Sequence, residues 1–596
     1  MPRSAKPTAT SPLALETRAA PTPVRLAAEA MGSGGDRNAL NKLNAAIGEL
    51  KALAVQPLLQ NAVNALRKQD HQRGGEWAIK ALEQDERSGF GWYMLAIARE
   101  MAGDFKGSIT CYEAALALLP DHAELASNLG RLAHRLGQFP VAEQLFRHYL
   151  ARFPDNAEGA NNLACALRSQ GRFDEAIEVL KATLTRDPAH PIVWNTLGTV
   201  MSEQGDPVNA LVFFDEALRQ DEAFAKARYN RGNMRMAIGD IEGSLVDCET
   251  ALSQTTLESE RQMMRLSRST ILINLGRIGE GWDDYEARLH PQFADSTQFV
   301  TDRPAWEPGC DLAGKSLLVM GEQGLGDEIL FANVLPDVVE ALGPEGRLTI
   351  AVEPRLISLF QRTFPTAEVG PHTTFTHEGR STRTVPFMAG RLESVDFAVP
   401  MGSLLREFRR SVSDFPQHER FLTADPARVA HWREVLKTAP AGKKVGLLWK
   451  SAIASAGRHR FFSPFDQWAP ILATPGVCFV NLQYGDCADE IAQARRELGV
   501  DIWTPPGIDL KKDLDDLAAL TCALDLTVGF ANATSNIAAA CGAPCWLIST
   551  PGAWPRVGTD HYPWYPQMRV FLPPGFRQWA PVMGEVAEAL GEFTAS

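Results

Sequence analysis

Apolar residues recur with a period of 34 between residues 89 and 255, and each period holds two stretches with the spacing of an amphipathic helix. In the first stretch a large apolar residue precedes a small one, and a glycine then separates the two stretches. The large residues are Leu95, Leu129, Leu163 and Leu197, with Arg231 in the fifth copy. The glycines are Gly103, Gly137, Gly171, Gly205 and Gly239. Because small residues let helices pack closely, the pattern predicts a stack of helical hairpins.

Past residue 290 the period ends, and short apolar runs alternate with helix-like segments. The candidate strands are 316–320, 347–352, 395–399, 444–449, 477–483, 524–530 and 543–549. Continuous apolar strands separated by helices are typical of parallel sheets covered on both faces. A stretch near 422–442 divides them into two series, so we expect two Rossmann-like halves with a cleft between them.

These patterns divide the chain into six predicted segments and predict an α-helical solenoid followed by an α/β fold. The segments are a disordered tail at 1–35, a solenoid at 36–289 with five clear repeats at 89–255, a connector at 290–313, α/β halves at 314–425 and 440–575, and a C-terminal helix at 576–596. Terminal repeats must cover an exposed core face. We therefore expect Trp282 and Tyr285 to close the last groove of the solenoid.

Composition narrows the class of function. A net charge of -13 leaves no surplus of Lys and Arg for a phosphate backbone, which argues against nucleic-acid binding. No apolar run reaches membrane-spanning length and no signal-peptide core is present, so we expect a cytoplasmic protein without a membrane span. The nine scattered cysteines predict reduced thiols. Cys541 and Cys545 lack neighbouring His or Cys ligands, so no metal site is predicted.

The segment GEQGLGDEI follows the strand at 316–320 and carries candidate chemistry. Gly321 and Gly326 keep the G-x-x-x-x-G frame of a phosphate-binding loop, in which Lys and Ser or Thr normally follow. Asp327 and Glu328 stand there instead. Two carboxylates repel a phosphate, so the sequence of this turn argues against a nucleotide-binding loop. A carboxylate at the end of a strand can instead accept the proton of an attacking hydroxyl.

Five segments resemble successive landmarks of a known group. They are GEQGLGDEILFANVLP, VGLLWKS, FVNLQYGD, LDDLAALTCALDLTVGFANATSNIAAACGAPCWLIS and PWYPQMRVF. They resemble bacterial tetratricopeptide-repeat (TPR) proteins that carry a C-terminal glycosyltransferase domain of the GT-B fold. That domain is similar to lipopolysaccharide heptosyltransferases and, in its overall plan, to O-GlcNAc transferase. Within this group the chain most resembles flagellin glycosyltransferases of α-proteobacteria, over roughly residues 50–575.

The resemblance implies an enzyme that needs neither a metal nor a cofactor. Its nucleotide-sugar donor would lie against the C-terminal half, with a CMP-linked nonulosonic acid of the pseudaminic type as one option. Its acceptor would be Ser or Thr of a protein, flagellin by this resemblance, held by the concave face of the repeats for flagellum assembly and motility. Asp327 matches the proposed base of heptosyltransferases, and Gly324, Gly326 and Glu328 complete the cleft loop. Stabilisation of a helix start is the alternative role for Asp327 and Glu328.

Donor-binding candidates follow three later strands. Lys450, with Arg458 and Arg460 in the next loop, supplies charge that could neutralise a leaving phosphate, although a solvated basic loop explains the same residues. Gln483 and Tyr484 end another strand and are candidates for contact with the base or ribose. Thr534, Ser535 and Asn536 lie at a predicted helix start, where they suit anion binding or, for Thr534 and Ser535, plain capping.

One apparent motif is set aside, and two alternative functions stay open. Asp513 and Asp515 form D-x-D, the metal motif of the other glycosyltransferase fold, but they open an amphipathic helix and suit capping. The whole chain could be a TPR scaffold or chaperone-like adaptor with a degenerate transferase domain. It could also transfer sugar to a lipid or saccharide. The sequence leaves open the sugar, the nucleotide, the acceptor residue, inversion or retention, and the oligomeric state.

Overall fold

The computed structural model describes residues 37–293, 295–377, 379–451 and 461–595. The tail predicted at 1–35 lies outside the described residues. Contacts divide the chain into two compact units, Met1–Val200 and Met201–Ser596. Each unit is described below by itself.

The first unit consists of paired helices that follow the 34-residue period. Its helices are α1 (Arg37–Arg67), α2 (His71–Gln84), α3 (Gly89–Met101), α4 (Phe105–Leu118), α5 (Ala123–Arg135), α6 (Phe139–Arg152), α7 (Ala157–Ser169) and α8 (Phe173–Arg186), and α9 (Pro191–Gln204) spans the division between the units. Ser88, Asp104 and Asn156 cap helix starts with side-chain oxygens that accept backbone hydrogen bonds. The turn glycines Gly103 and Gly137 have φ of 82° and 76°, a region that L side chains avoid.

Close approach explains the small residue of the repeat. A Cβ atom added at Gly130 would lie 2.8 Å from Cε1 of the buried Phe146 ring. The large apolar residue of the second helix therefore occupies the space that the small residue of the first helix leaves. The helical solenoid predicted from the period is confirmed.

The second unit begins with further helices of the same kind. They are α10 (Pro207–Gln220), α11 (Ala225–Ile238), α12 (Ile241–Gln254), α13 (Glu258–Asn274) and α14 (Ile278–Tyr285). Trp282 is buried and its ring lies edge-on to Trp554 and Trp564, with centroids 5.9 and 6.3 Å away. Its Nε1 donates to the carbonyl of Arg409 at 2.8 Å. Trp282 therefore packs the last repeat helices against the α/β part of the same unit.

Three sheets complete the second unit. The strands are β1 (Gln298–Phe299), β2 (Ser316–Met320), β3 (Arg347–Val352), β4 (Glu368–Pro371), β5 (Thr373–His377), β6 (Arg380–Thr384), β7 (Phe397–Pro400), β8 (Lys443–Leu448), β9 (Val477–Asn481), β10 (Leu526–Phe530), β11 (Cys545–Ile548) and β12 (Arg569–Phe571). One parallel sheet has the order β4-β3-β2-β7 and another has β12-β11-β10-β8-β9. A small sheet has the order β1-β6-β5.

Helices cover the parallel sheets. They are α15 (Leu325–Phe331), α16 (Leu335–Leu342), α17 (Ile357–Thr363), α18 (Leu405–Phe408), α19 (Pro426–Leu436), α20 (Ala469–Leu472), α21 (Ala488–Gln493), α22 (Leu514–Ala523), α23 (Ala533–Ala540) and α24 (Trp579–Ala595). Every residue of β2 and β10 is buried, as continuous apolar runs require. Two parallel α/β sheets in series are therefore present. Within the described residues, no helix has the length and apolar character needed to cross a bilayer.

Two of the predicted strands match the structure at both ends. The runs 316–320 and 347–352 coincide with β2 and β3, while the ends of the other runs shift by a few residues. Sequence patterning did not predict β1, β4, β5, β6 or β12. All five residues of β5 are exposed, so that strand carries no apolar signal.

Candidate functional site

The glycine turn begins where β2 ends. The Gly321 amide donates to the carbonyl of Ala351 at 2.7 Å, which ties the start of the turn to the neighbouring strand β3. Gln323 has φ of 59°, an unusual value for a residue with a side chain. Gly324 is then the N-cap of α15. The predicted sequence of strand, turn and helix is confirmed at this place.

Asp327 lies in the first turn of α15 and is half-buried. Its Oδ2 accepts a hydrogen bond from the Gly324 amide at 3.2 Å, which closes the turn. Burial raises the pKa of Tyr562, and the negative charge of Asp327 raises it further. The Tyr285 pKa is raised in the same way by burial, then by Glu322 and Asp327. Asp327 thus has a phenol from the last repeat helix and another from the C-terminal half close enough to sense its charge.

Glu328 points into the protein and is 2% exposed. Its Oε1 lies 2.7 Å from His372 Nε2, and its Oε2 accepts from the Glu353 amide at 2.9 Å. The Arg383 guanidinium lies 3.7 Å from the same carboxylate and also donates to the carbonyl of Gly321. Glu328 is therefore held in a buried charged cluster, while its predicted part in the cleft loop stays a prediction.

A second buried pair holds the turn from the other side. Glu322 and Arg288 are each 2% exposed, and Arg288 Nε and Nη2 donate to the two Glu322 oxygens at 2.7 and 2.8 Å. Arg288 Nη2 also donates to Ser403 Oγ at 2.9 Å. Sequence reasoning missed this pair, although Glu322 lies inside the quoted turn. His372 and Arg383 gave no sequence signal because they lie in a polar stretch that was not predicted as strand.

The start of α23 meets the glycine turn. Asn536 Nδ2 donates to the carbonyl of Gly326 at 2.9 Å, although the two residues are 210 positions apart. Asn532 is the N-cap of α23, and the Ser535 hydroxyl accepts from the Asn532 amide at 2.9 Å. The N-cap residue is therefore Asn532, not Thr534 or Ser535, and Ser535 takes part in capping as the third helical residue of the capping box. Thr534, Ser535 and Asn536 are all buried.

The structure brings Lys450 and Gln483 together. Lys450 Nζ forms an ion pair with Glu490, and its side chain is 32% exposed. Gln483 is 1% exposed, and its Oε1 accepts from the amides of Trp449 and Lys450 at 3.1 and 2.9 Å. Gln483 thus supports the end of β8, while the half-buried Tyr484 beside it borders solvent. Arg458 and Arg460 lie outside the described residues.

The D-x-D residues have structural partners. Asp515 accepts from Arg362 Nη1 and Nη2 at 2.8 and 2.7 Å, a bidentate pair. Asp513 is the N-cap residue of α22, and its carboxylate accepts from the Asp509 amide at 2.9 Å. Asp513 occupies the N-cap position, but its side chain makes no hydrogen bond to the amides of α22, and Asp515 is engaged by Arg362, so neither carboxylate caps the helix as predicted.

Polar side chains connect the first helices of neighbouring repeats in the first unit. Thr196 Oγ1 donates to Asn161 at 2.5 Å, and His134 Nε2 lies 3.2 Å from Ser169 Oγ. Asn128 Nδ2 donates to the Tyr93 hydroxyl. Each of these pairs is separated by 35 positions, about one repeat. Tyr93, Asn128 and Thr196 are buried, so these pairs hold neighbouring repeats together.

Comparisons with known proteins identify the repeats. Models of the tetratricopeptide repeat match residues 93–157, 133–200 and 167–221. Protein FlbA of Caulobacter vibrioides is 49% identical over 569 residues, which cover 96% of this chain and 95% of the relative.

Two solved structures are similar to the helical part of the chain. PilW, described as a widely conserved type IV pilus biogenesis factor, is 21% identical, with 35% of this chain and 97% of PilW covered and a TM-score of 0.32. A tetratricopeptide repeat protein of Parabacteroides merdae is 16% identical, with 41% of this chain and 96% of that protein covered and a TM-score of 0.32.

Proposed function

The chain belongs to the family of Protein FlbA of Caulobacter vibrioides, and from that premise we propose that it is a protein glycosyltransferase of GT-B architecture. The observation that carries the proposal is the meeting of the Asp327 turn with the start of α23, through the hydrogen bond from Asn536 to Gly326. Ligands of parallel α/β sheets bind outside the carboxyl ends of the strands. Here Asp327 follows β2, and Asn536, which follows β10, donates a hydrogen bond to the residue next to Asp327.

The proposed reaction uses Asp327 as a general base. Its carboxylate takes the proton of the acceptor hydroxyl, the hydroxyl oxygen bonds to the anomeric carbon, and the bond from that carbon to the donor phosphate oxygen breaks. A single displacement of this kind inverts the anomeric centre. The half-buried position of Asp327 suits a base, because it borders solvent while its carboxylate orientation is fixed by the Gly324 amide.

The proposed substrates follow from the resemblance described under Sequence analysis. The donor is a nucleotide-linked nonulosonic acid of the pseudaminic type, and the acceptor is Ser or Thr of flagellin, modified in the cytoplasm before flagellum assembly. The tetratricopeptide repeats support a polypeptide acceptor, because stacked repeats form extended concave binding surfaces. Lys450 neutralises the leaving phosphate after it exchanges its partner Glu490 for the donor.

A second candidate function is a TPR scaffold with an inactive transferase domain. The observation that favours it is that Lys450, Gln483 and Asn536 all have protein partners at the positions expected to bind the donor. A scaffold would bind the same partner without chemical change.

Intact-mass analysis of purified flagellin incubated with this protein and a CMP-linked pseudaminic acid tests the proposal. We expect one or more additions of the sugar mass, and we expect Asp327→Asn to lower the rate about 100-fold to 10,000-fold, since a general base contributes that much. Glu345→Gln is the matched control, because Glu345 is an exposed carboxylate of the same half. Unchanged transfer by Asp327→Asn would refute the site. Flagellin that binds tightly but gains no mass would establish the scaffold instead.

A further inference from the structure

A small cavity lies where the last repeat helices meet the glycine turn. Its volume is about 170 Å³, below the range of about 300–1,000 Å³ that small-molecule sites occupy. Leu266 of α13, Phe299 of β1 and Gln323 of the glycine turn all line it. The space is therefore suited to a single amino-acid side chain, and we call it the Phe299 pocket.

The pocket lies close to Asp327 along the glycine turn. Burial raises the pKa of Tyr285 most, the charge of Asp327 raises it further, and a hydrogen bond from Gln323 lowers it, so Tyr285 is near both residues. The amide of Gly324, the residue after Gln323, donates to Asp327 Oδ2 at 3.2 Å. An extended chain covers about 3.4 Å per residue. A polypeptide side chain in the pocket therefore belongs to a residue about two or three positions from a hydroxyl held at Asp327.

The lining of the pocket carries a negative charge that its own cation does not balance. Its charged residues are one guanidinium, Arg288, and two carboxylates, Asp295 and Glu322. Arg288 Nε lies 2.7 Å from Glu322, and Arg288 Nη1 lies 2.6 Å from Glu286. Arg288 is thus already engaged by two carboxylates. The carboxylate of Asp295, which is exposed, is left to attract a cation from outside.

Apolar side chains supply the remaining surface. They are half-buried, and they are Leu266, Leu289, Phe293 and Phe299. Lys and Arg lay their aliphatic stems along such surfaces while the charged head reaches a carboxylate, and phenylalanine rings also attract cations. The Arg383 guanidinium, 5.9 Å from the ring centre of Phe299, does not oppose a second cation, because Glu328 balances its charge from 3.7 Å. An apolar pocket with one unbalanced carboxylate therefore fits a basic side chain.

We propose that the Phe299 pocket binds a lysine or arginine side chain of the acceptor polypeptide, two or three positions from the Ser or Thr that receives the sugar. The inference rests on the proposed function and adds a sequence requirement for the acceptor. The aliphatic stem packs against the apolar wall, and the charged head pairs with Asp295. Asp295 thereby selects which hydroxyl of the acceptor reaches Asp327, without taking part in the chemical step.

An exchange of charge between this protein and flagellin tests the inference. Peptide mass spectrometry of flagellin, modified by the full native chain with a CMP-linked pseudaminic acid as donor, first identifies the modified residues. We expect a Lys or Arg two or three positions from each of them. Asp295→Lys should raise the KM for flagellin at least about tenfold and leave kcat unchanged, because like charges oppose binding of the acceptor equally before and during the reaction. Flagellin with that basic residue replaced by Glu should be a poor acceptor for the native chain and a better one for Asp295→Lys.

Glu345→Lys is the matched control, since it makes the same change of charge at an exposed position of the same half that does not line the pocket. Its KM should equal that of the native chain. If sugar is transferred but the modified residues lack a basic neighbour, or Asp295→Lys behaves as Glu345→Lys does, the pocket assignment is wrong and the proposed function stands. Failure of the exchanged pair to recover transfer would also refute the pocket. If no sugar is transferred at all, both proposals are wrong.

Discussion

Replacement by alanine should distinguish the steric roles of Gly321 and Gly326, the two glycines of the G-x-x-x-x-G frame. A Cβ atom at Gly321 would lie 2.5 Å from Cδ and 2.6 Å from Oε2 of Glu328. The carboxylate cannot move freely, because it accepts from the Glu353 amide and contacts His372. A Cβ atom at Gly326 would lie 3.5 Å from Asn536 Nδ2, an ordinary contact. The G-x-x-x-x-G frame therefore contains one sterically required glycine and one that is not.

The magnitude follows from these contacts. Gly321→Ala overpacks a buried site, at a cost of about 1–3 kcal/mol, and weakens hydrogen bonds to a charged group worth about 1.5–3 kcal/mol each. We expect a loss of about 2–4 kcal/mol in the free energy of unfolding. Gly326→Ala lies in α15, where alanine is favoured over glycine by up to about 1 kcal/mol, so it should be neutral or slightly stabilising.

Urea denaturation of both variants, followed by tryptophan fluorescence, measures the difference. Glu328→Gln is a further control, because it keeps the shape of the side chain while removing its charge. If the clash at Gly321 is the cause, Gly321→Ala should lose more stability than Gly326→Ala by at least about 2 kcal/mol. Equal stability of the two alanine variants would refute the steric argument for Gly321.

Two further predictions concern buried groups. Arg288→Met should cost about 3–5 kcal/mol of unfolding free energy, because it leaves Glu322 buried without its cation. The double variant Arg288→Met with Glu322→Gln should recover part of that loss, measured in the same urea assay. A double variant no more stable than Arg288→Met would contradict this. Burial raises the pKa of Cys545 to about 12, whereas a hydrogen bond from Cys541 lowers the pKa of the half-buried Cys522. Iodoacetamide at pH 8 should therefore alkylate Cys522 before Cys545, as peptide mass spectrometry can follow, and equal rates would refute it.

Sequence patterning predicted the turns and strands that are determined by residues close together in the chain. The turn glycines of the repeats have φ of 74–98°, a region that glycine adopts at little cost and other residues rarely adopt, so each glycine marks its turn in the sequence. Strands β2 and β3 were predicted at their observed bounds because most of their residues are apolar and buried. Strand β5 was missed because its residues are exposed and polar, so its hydrogen bonding to β6 leaves no mark in the sequence.

The candidate site depended more on residues distant in the chain. Asp327 could be selected from its place after a strand and a glycine turn, which is a local property. Glu328 is buried, whereas its neighbour Asp327 borders solvent. This difference could not be predicted from the local sequence, because Glu328 is held by His372, 44 positions later. The ion pair of Lys450 with Glu490, 40 positions away, was likewise invisible to the sequence pattern.

The sequence by itself determined a helical repeat followed by two α/β halves, because periodicity, turn glycines and apolar runs act over a few neighbouring residues. Only the tertiary structure decided what each polar group of the turn does. Folding brings Asn536 to Gly326 across 210 positions and buries Glu322 with Arg288. These contacts are set by packing between elements, and a buried charge is stable only where that packing supplies its partner.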